Sequence, residues 1–199
     1  MFIIGITGPT GAGKTLATQA LQSLNVKTLD CDKIYHELLQ INKKMIKELQ
    51  EEFPHVMVDG KIDRKKLSET VLSEHVLLEK LQDITHKFID DEIDNQLITY
   101  GMHGVTTVAI DAIALIESGQ NNKCDVVVGI LAPIDLRLSR ITKRDKLTKD
   151  EALARINAQQ NDEFYIENCD HILHNNGDNP KKFINECVAY FKKIFPEDM

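Results

Sequence analysis

The sequence has no excess of positive charge. Its 199 residues carry 24 Lys and Arg against 31 Asp and Glu, a formal net charge of −7. Broad electrostatic binding to DNA, RNA or an anionic membrane needs the opposite balance, so neither a nucleic-acid polymer nor a membrane is an expected partner. A local basic site remains compatible with this total. No apolar run approaches the ~20 residues that span a bilayer. The apolar start Phe2-Ile3-Ile4 meets Gly5 too soon to form the core of a signal peptide. The four cysteines, Cys31, Cys124, Cys169 and Cys187, include no Cys-x-x-Cys pair. That excludes the common zinc and redox spacings and reads as reduced thiols in a cytoplasmic protein. Internal repeats and low-complexity tracts are also lacking.

What is present is enough apolar material, 42% of the chain, for one domain of ordinary size. Apolar, β-branched runs predict strands over 2–7, 26–29, 105–110, 126–131 and 171–173. Helical spacing covers 14–24, then most of 32–100, where Pro54 and Asp59-Gly60 read as turns and no strong strand stands out. It returns from about 134 to 160, with a charged interruption, and again from 180 to 195. Alternating strands and helices predict an α/β fold with a parallel sheet covered by helices on both faces. The expected organisation is a core of 1–35, 104–136 and 168–199, a helical insertion of about 36–103, and a lid of about 137–167.

The strongest motif is Gly8-Pro9-Thr10-Gly11-Ala12-Gly13-Lys14-Thr15, a full match to G-x-x-x-x-G-K-[ST] between a strand and a helix. Such a P-loop curls its backbone so that N–H groups converge on phosphate oxygens, at the positive end of a helix. Lys14 supplies a point charge for the β- and γ-phosphates, and the Thr15 hydroxyl a ligand for Mg²⁺. The motif names a nucleotide and leaves the reaction open among GTPases, ATPase motors and small-molecule kinases. Asn122-Lys123-Cys124-Asp125 matches the guanine-reading N-K-x-D string, but it precedes a strand, at the edge opposite the one where such sheets bind ligands. No D-x-x-G follows the P-loop, so the string reads as a solvated turn.

Three further groups are candidates. Asp30-Cys31-Asp32 closes the second strand. A helix cap explains a carboxylate there, and so does an alcohol acceptor whose proton must be taken. Between 137 and 155 stand Arg137, Arg140, Lys143, Arg144, Lys146, Lys149 and Arg155 against Asp145, Asp150 and Glu151, a local balance of +4. Arg140 and Arg144, four apart on a helix, can reach one ligand and clamp a polyphosphate. A solvated charged helix is the plainer alternative. Asn175-Asn176-Gly177 follows the last strand, where the turn, Asn176 included, could meet adenine; an Asn-Gly turn also explains it.

These pieces together resemble the dephospho-CoA kinase family. The P-loop is followed about 15 residues later by D-x-D. Gly60-Lys61-Ile62-Asp63-Arg64 with Leu67 is similar to G-x-[LI]-D-R-x-x-L, and Leu81 to His86 to L-x-x-[IL]-x-H-P. Asp111 to Gly119 is similar to D-x-P-L-L-[FI]-E-x-G, and Arg140 to Asp145 to R-x-x-x-R-D. Ala158-Gln159 and Cys169 to Gly177 match the closing motifs in order. The resemblance implies transfer of the γ-phosphoryl of ATP, with Mg²⁺, to the ribose 3′-hydroxyl of dephospho-CoA. It also implies Asp32 as base, with Lys14 and Arg140 as its catalytic partners. Arg144 and Asn176 would join the P-loop in holding ATP, and Asp30, Arg64 and His86 would serve the acceptor side. The chain departs from the pattern at Pro9-Thr10, Lys87, Ile113 and Tyr165. A kinase for another small alcohol or a nucleoside monophosphate, or a nucleotide-binding switch, are the alternative readings.

Overall fold

Val126–Leu131 is buried along its whole length, the mark of a strand with neighbours on both sides and helices on both faces. The structure, a computed structural model, describes residues 1–58, 60–73, 75–177 and 179–196. In chain order its elements are β1 (Phe2–Thr7), α1 (Lys14–Ser23), β2 (Lys27–Asp30), α2 (Cys31–Ile41), α3 (Lys43–Glu52), β3 (Met57–Val58), β4 (Lys61–Ile62), α4 (Arg64–Ser73) and α5 (His75–Met102). There follow β5 (Thr107–Asp111), β6 (Val126–Leu131), α6 (Ile134–Asp145), α7 (Lys149–Asn157), α8 (Asp162–Asn168), β7 (His171–His174) and α9 (Pro180–Ile194). The chain divides into two compact units, 1–29 with 101–199, and 30–100.

In the first unit five strands form one sheet in the order β2-β5-β1-β6-β7. The β1–β5, β1–β6 and β6–β7 ladders are parallel. Two aspartates fix the strand starts. Asp125 accepts the Ile3 N–H at 2.7 Å, and Asp170 accepts the Val127 N–H at 2.7 Å. Alternation turns Ile4, Ile6, Val126, Val128 and Ile130 to one face, where they meet Ala17, Ala20 and Leu21 of α1 and Phe183, Cys187 and Phe191 of α9. Each large apolar side chain buried there contributes about 1.5–3 kcal/mol. α9 begins as its sequence requires, with Pro180 in its first turn and the Asn179 side chain accepting the Lys182 N–H at 3.2 Å.

The charged interruption near residue 146 is a true break. Lys146 takes a left-handed conformation (φ 55°) and ends α6, and Thr148 with Glu151 forms a capping box that starts α7. Ile141, Ala152 and Ile156 then close a small core of their own. The N-K-x-D string lies where the sequence suggests, in the turn before β6, with Asp125 spent on the start of β1.

The second unit is helical, with one difference from expectation. β3 and β4 pair antiparallel, Met57 with Ile62 and Val58 with Lys61. Strands of two residues are too short to show alternation in sequence. Asp59, expected in a turn, lies outside the described residues. Asn42 caps α3 by accepting the Met45 N–H at 3.0 Å, and Met45, Leu49, Phe53 and Val56 are buried. All four cysteines are free thiols. Among the described residues no helix is long and apolar enough to cross a membrane.

Candidate active site

The loop 8–15 leaves the carboxyl end of the central strand β1 and enters α1. It is pressed so closely that its glycines have no room for a side chain. Gly8 (φ 132°) would place a Cβ 2.2 Å from the Ile130 carbonyl oxygen, and Gly13 (φ 112°) one 2.3 Å from the Asn175 amide nitrogen. Lys14 folds back so that its Nζ donates to the Gly8 carbonyl at 3.0 Å. Pro9 is buried, the Ala12 N–H donates to its carbonyl at 3.1 Å, and Thr15 stands exposed in the first turn of α1.

Side chains from far along the chain hold the loop's carbonyls. Arg140 donates from Nη1 to the Gly11 oxygen at 3.1 Å, and from Nη2 to the Asn175 Oδ1 at 3.3 Å and the Gly177 oxygen at 2.6 Å. Asn175, only 2% exposed, donates to the Ala12 oxygen at 2.8 Å. In a trans peptide the carbonyl and the next N–H point in opposite directions. Fixing the Ala12 oxygen therefore aims the Gly13 N–H away from Asn175. The sequence singled out Asn176, which is exposed, for adenine; it gave no sign that the neighbouring Asn175 holds the loop.

Arg144 does not share a partner with Arg140. It forks onto Asp145 at 2.7 and 2.9 Å, and Arg155 reaches the same carboxylate at 2.6 Å. Hydrogen bonding from Arg144 holds the Asp145 carboxyl below its usual range. Two contributors were given no role at the loop by the sequence. Gln159 bonds Thr10 twice, and Arg137, counted there as one of seven basic residues of the 137–155 stretch, is buried and donates to the Thr10 carbonyl at 3.0 Å.

In the second unit the two aspartates differ in kind. Asp30, the last residue of β2, caps α2 by accepting the Lys33 N–H at 3.0 Å. Asp32 lies exposed in the first turn of α2. Arg64 opens α4, donates to the His36 ring, and lines a cavity of about 500 Å³ with Tyr35, His36, Lys65, Leu67 and Val71. Burial raises the Tyr35 phenol pKa, and the Arg64 charge partly offsets this. His86 does not line that cavity. It is half-buried in α5, and desolvation lowers its pKa against the pull of Asp83 and Asp90.

Three of the departures from the family pattern sit among defined partners. Lys87 forms an ion pair with Glu48 of α3. The Ile113 carbonyl accepts the Thr7 hydroxyl at 3.0 Å. Tyr165 is 1% exposed and packs edge-on against Phe164, so it is a core residue. Among the described residues no group of three or more His, Cys, Asp or Glu side chains could hold a metal. Mg²⁺ carried on nucleotide phosphates needs only one or two protein oxygens, and the exposed Thr15 hydroxyl in the first turn of α1 is an oxygen of that kind.

Comparison with known proteins follows the same line. A sequence model described as dephospho-CoA kinase matches residues 2–181. The dephospho-CoA kinase of Dehalococcoides mccartyi is 35% identical over 178 residues, covering 88% of this chain and 89% of that protein. A crystal structure of a Thermus thermophilus protein superposes with a TM-score of 0.79 at 26% identity, covering 98% of both chains. The dephospho-CoA kinase of Campylobacter jejuni gives a TM-score of 0.71 at 28% identity, over 99% of this chain and 98% of that one.

Proposed function

Because the chain belongs to the dephospho-CoA kinase family, we propose how its own residues move the phosphoryl group. It is an ATP-dependent phosphotransferase that converts dephospho-CoA and ATP to CoA and ADP, the last step of coenzyme A synthesis. ATP lies on the loop 8–15, its phosphates met by backbone N–H groups and by Lys14. Thr15 offers its hydroxyl to Mg²⁺, which neutralises phosphate charge when bound. Dephospho-CoA is held by residues of the second unit, with Arg64 on an anionic group and Tyr35 beside an apolar or aromatic one. His86 acts through the packing of α5 rather than as a direct ligand.

The ribose 3′-hydroxyl attacks the γ-phosphorus. Asp32 accepts the hydroxyl proton as the O–P bond forms, and the bond to the ADP oxygen breaks. Charge spreading over the γ-oxygens is met by Lys14, by Arg144, which exchanges Asp145 for phosphate, and by Arg140 from its place against the loop. Asp30 fixes the start of α2 and so the place of Asp32. Asn176 borders the adenine through its backbone.

The observation that carries this reading is the loop itself, a full phosphate-binding motif seated at the end of the central strand with its carbonyls already restrained. Purified protein with ATP, Mg²⁺ and dephospho-CoA is expected to form ADP and CoA in equal amounts, followed by coupled assay and mass spectrometry. Lys14→Ala is expected to abolish turnover. A well-folded wild-type protein that leaves dephospho-CoA untouched while consuming another alcohol would sink the acceptor assignment.

A further inference from the structure

The three polar groups of Thr10 are taken by two side chains more than a hundred residues away. Gln159 accepts the Thr10 N–H through Oε1 at 2.9 Å and donates from Nε2 to the Thr10 hydroxyl at 3.0 Å. Arg137 donates from Nε to the Thr10 carbonyl at 3.0 Å. The partners come from the start of α6 and from the link between α7 and α8. The P-loop motif leaves this position free, so nothing in phosphate chemistry alone demands a threonine there.

Arg137 is a costly way to hold a loop if stability were the only purpose. It is 3% exposed, and its ionic contact is long, 3.9 Å to Asp162, which is itself 45% exposed. One terminal nitrogen is buried with no hydrogen-bond partner among the described residues. A buried, incompletely satisfied charge contributes little to stability or lowers it. What it does provide is direction. With the Thr10 carbonyl held, the Gly11 N–H is aimed the opposite way, as Asn175 does for Gly13.

We propose that Gln159 and Arg137 are positioning residues that seat Thr10 and thereby preset the phosphate loop for the nucleotide. The proposal rests on the reading of residues 8–15 as the ATP site. A preset loop meets the phosphates of bound ATP and of the transition state alike. Loosening it raises KM for ATP and leaves kcat at saturating ATP nearly unchanged.

The test uses the full chain, with MgADP affinity by calorimetry, steady-state kinetics and melting temperature measured together. Thr10→Val removes one bond and is expected to weaken MgADP about threefold; Gln159→Ala removes two and costs about tenfold. Thr10→Ser keeps the hydroxyl and is expected to bind like the wild type. The Thr10→Val/Gln159→Ala double variant is expected to be no weaker than Gln159→Ala alone, because the hydroxyl's partner is already gone. Arg137→Met is expected to lose affinity several-fold with an unchanged or higher melting temperature. KM for ATP should rise in step, with kcat within about threefold.

Unchanged affinity in Gln159→Ala and Thr10→Val would overturn the proposal. So would a Thr10→Ser protein as weak as Thr10→Val, additive losses in the double variant, or affinity losses that merely follow a falling melting temperature. Wild-type protein that takes up no MgADP would remove the ATP-site reading and this proposal with it. Wild-type binding with unaffected variants removes the positioning role alone.

Discussion

The nucleotide-binding loop and the candidate acceptor residues are built on opposite principles. In the loop the proposed phosphate contacts belong to the backbone, and other parts of the chain restrain it. Gly8 and Gly13 leave no space for a Cβ, and Arg140, Asn175, Gln159 and Arg137 hold its carbonyl and amide groups. In residues 30–100 the chemistry sits on side chains. Asp32 is exposed, and Arg64 lines an open cavity with Tyr35 and His36. Binding a triphosphate is a generic task that a rigid cradle performs. Choosing one acceptor and taking one proton needs particular functional groups, and these can be replaced without disturbing the fold around them.

The comparison is broken most severely at Asp32. Asp32→Asn keeps shape and removes the base, so kcat is expected to fall by about 10²- to 10⁴-fold with KM for ATP unchanged. Steady-state kinetics in both substrates check this, and an Asp32→Asn protein with full turnover would end the assignment of the base. Gly13→Ala makes the contrasting change. It forces a methyl group into Asn175 at a backbone conformation that costs about 1–3 kcal/mol for other residues. MgADP binding is expected to fall more than tenfold, with a lower melting temperature. One lesion is silent in stability and the other is not, because one site is a side chain and the other a packed backbone.

A third change acts on the acceptor alone. Arg64→Ala removes a guanidinium from the cavity, leaving Lys65, and with it the hydrogen bond to His36. KM for dephospho-CoA is expected to rise about tenfold, the scale of one charge-assisted hydrogen bond. KM for ATP should hold, and an equal rise in both would show that the two sites are not functionally separate.

The same contrast explains what could be read from sequence. The loop was legible because its function is encoded in eight consecutive residues, and β1 and β6 because they are short apolar runs. The partners of the loop were not legible. Gln159 and Arg137 reach Thr10 across sequence separations of 149 and 127 residues; the motif that includes Ala158-Gln159 marks a place in the chain and does not point to Thr10. Arg137 was counted with six other basic residues as part of a charged stretch; only packing distinguishes the buried one. Asn175 and Asn176 are equivalent as neighbours in a turn, and burial separates them. The β3–β4 pair was hidden by its length. On the acceptor side the motifs named Arg64 and His86 together, yet only Arg64 lines the cavity, since a motif orders residues along the chain and says nothing of which face they occupy.

The smallest expected effect is a difference in sign between the two units as pH changes. Partial desolvation raises the Glu117 carboxyl pKa above its usual value, outweighing hydrogen bonds from its own backbone and from Gln160. A group whose folded pKa is raised adds stability below its unfolded pKa and loses it as pH rises through the folded value. Glu117→Gln should therefore gain melting temperature relative to wild type as pH climbs above about 4.5. His86 is the reverse case, because burial lowers its pKa from 6.5. Its neutral form is the one the fold accepts, so stability present above 6.5 is lost as pH falls below it. His86→Asn should gain relative to wild type on acidification. Both side chains are partly solvated, which limits each shift to a degree or two. Melting curves of the three proteins between pH 4 and pH 8 check the pair, and two variants that drift in the same direction would contradict it.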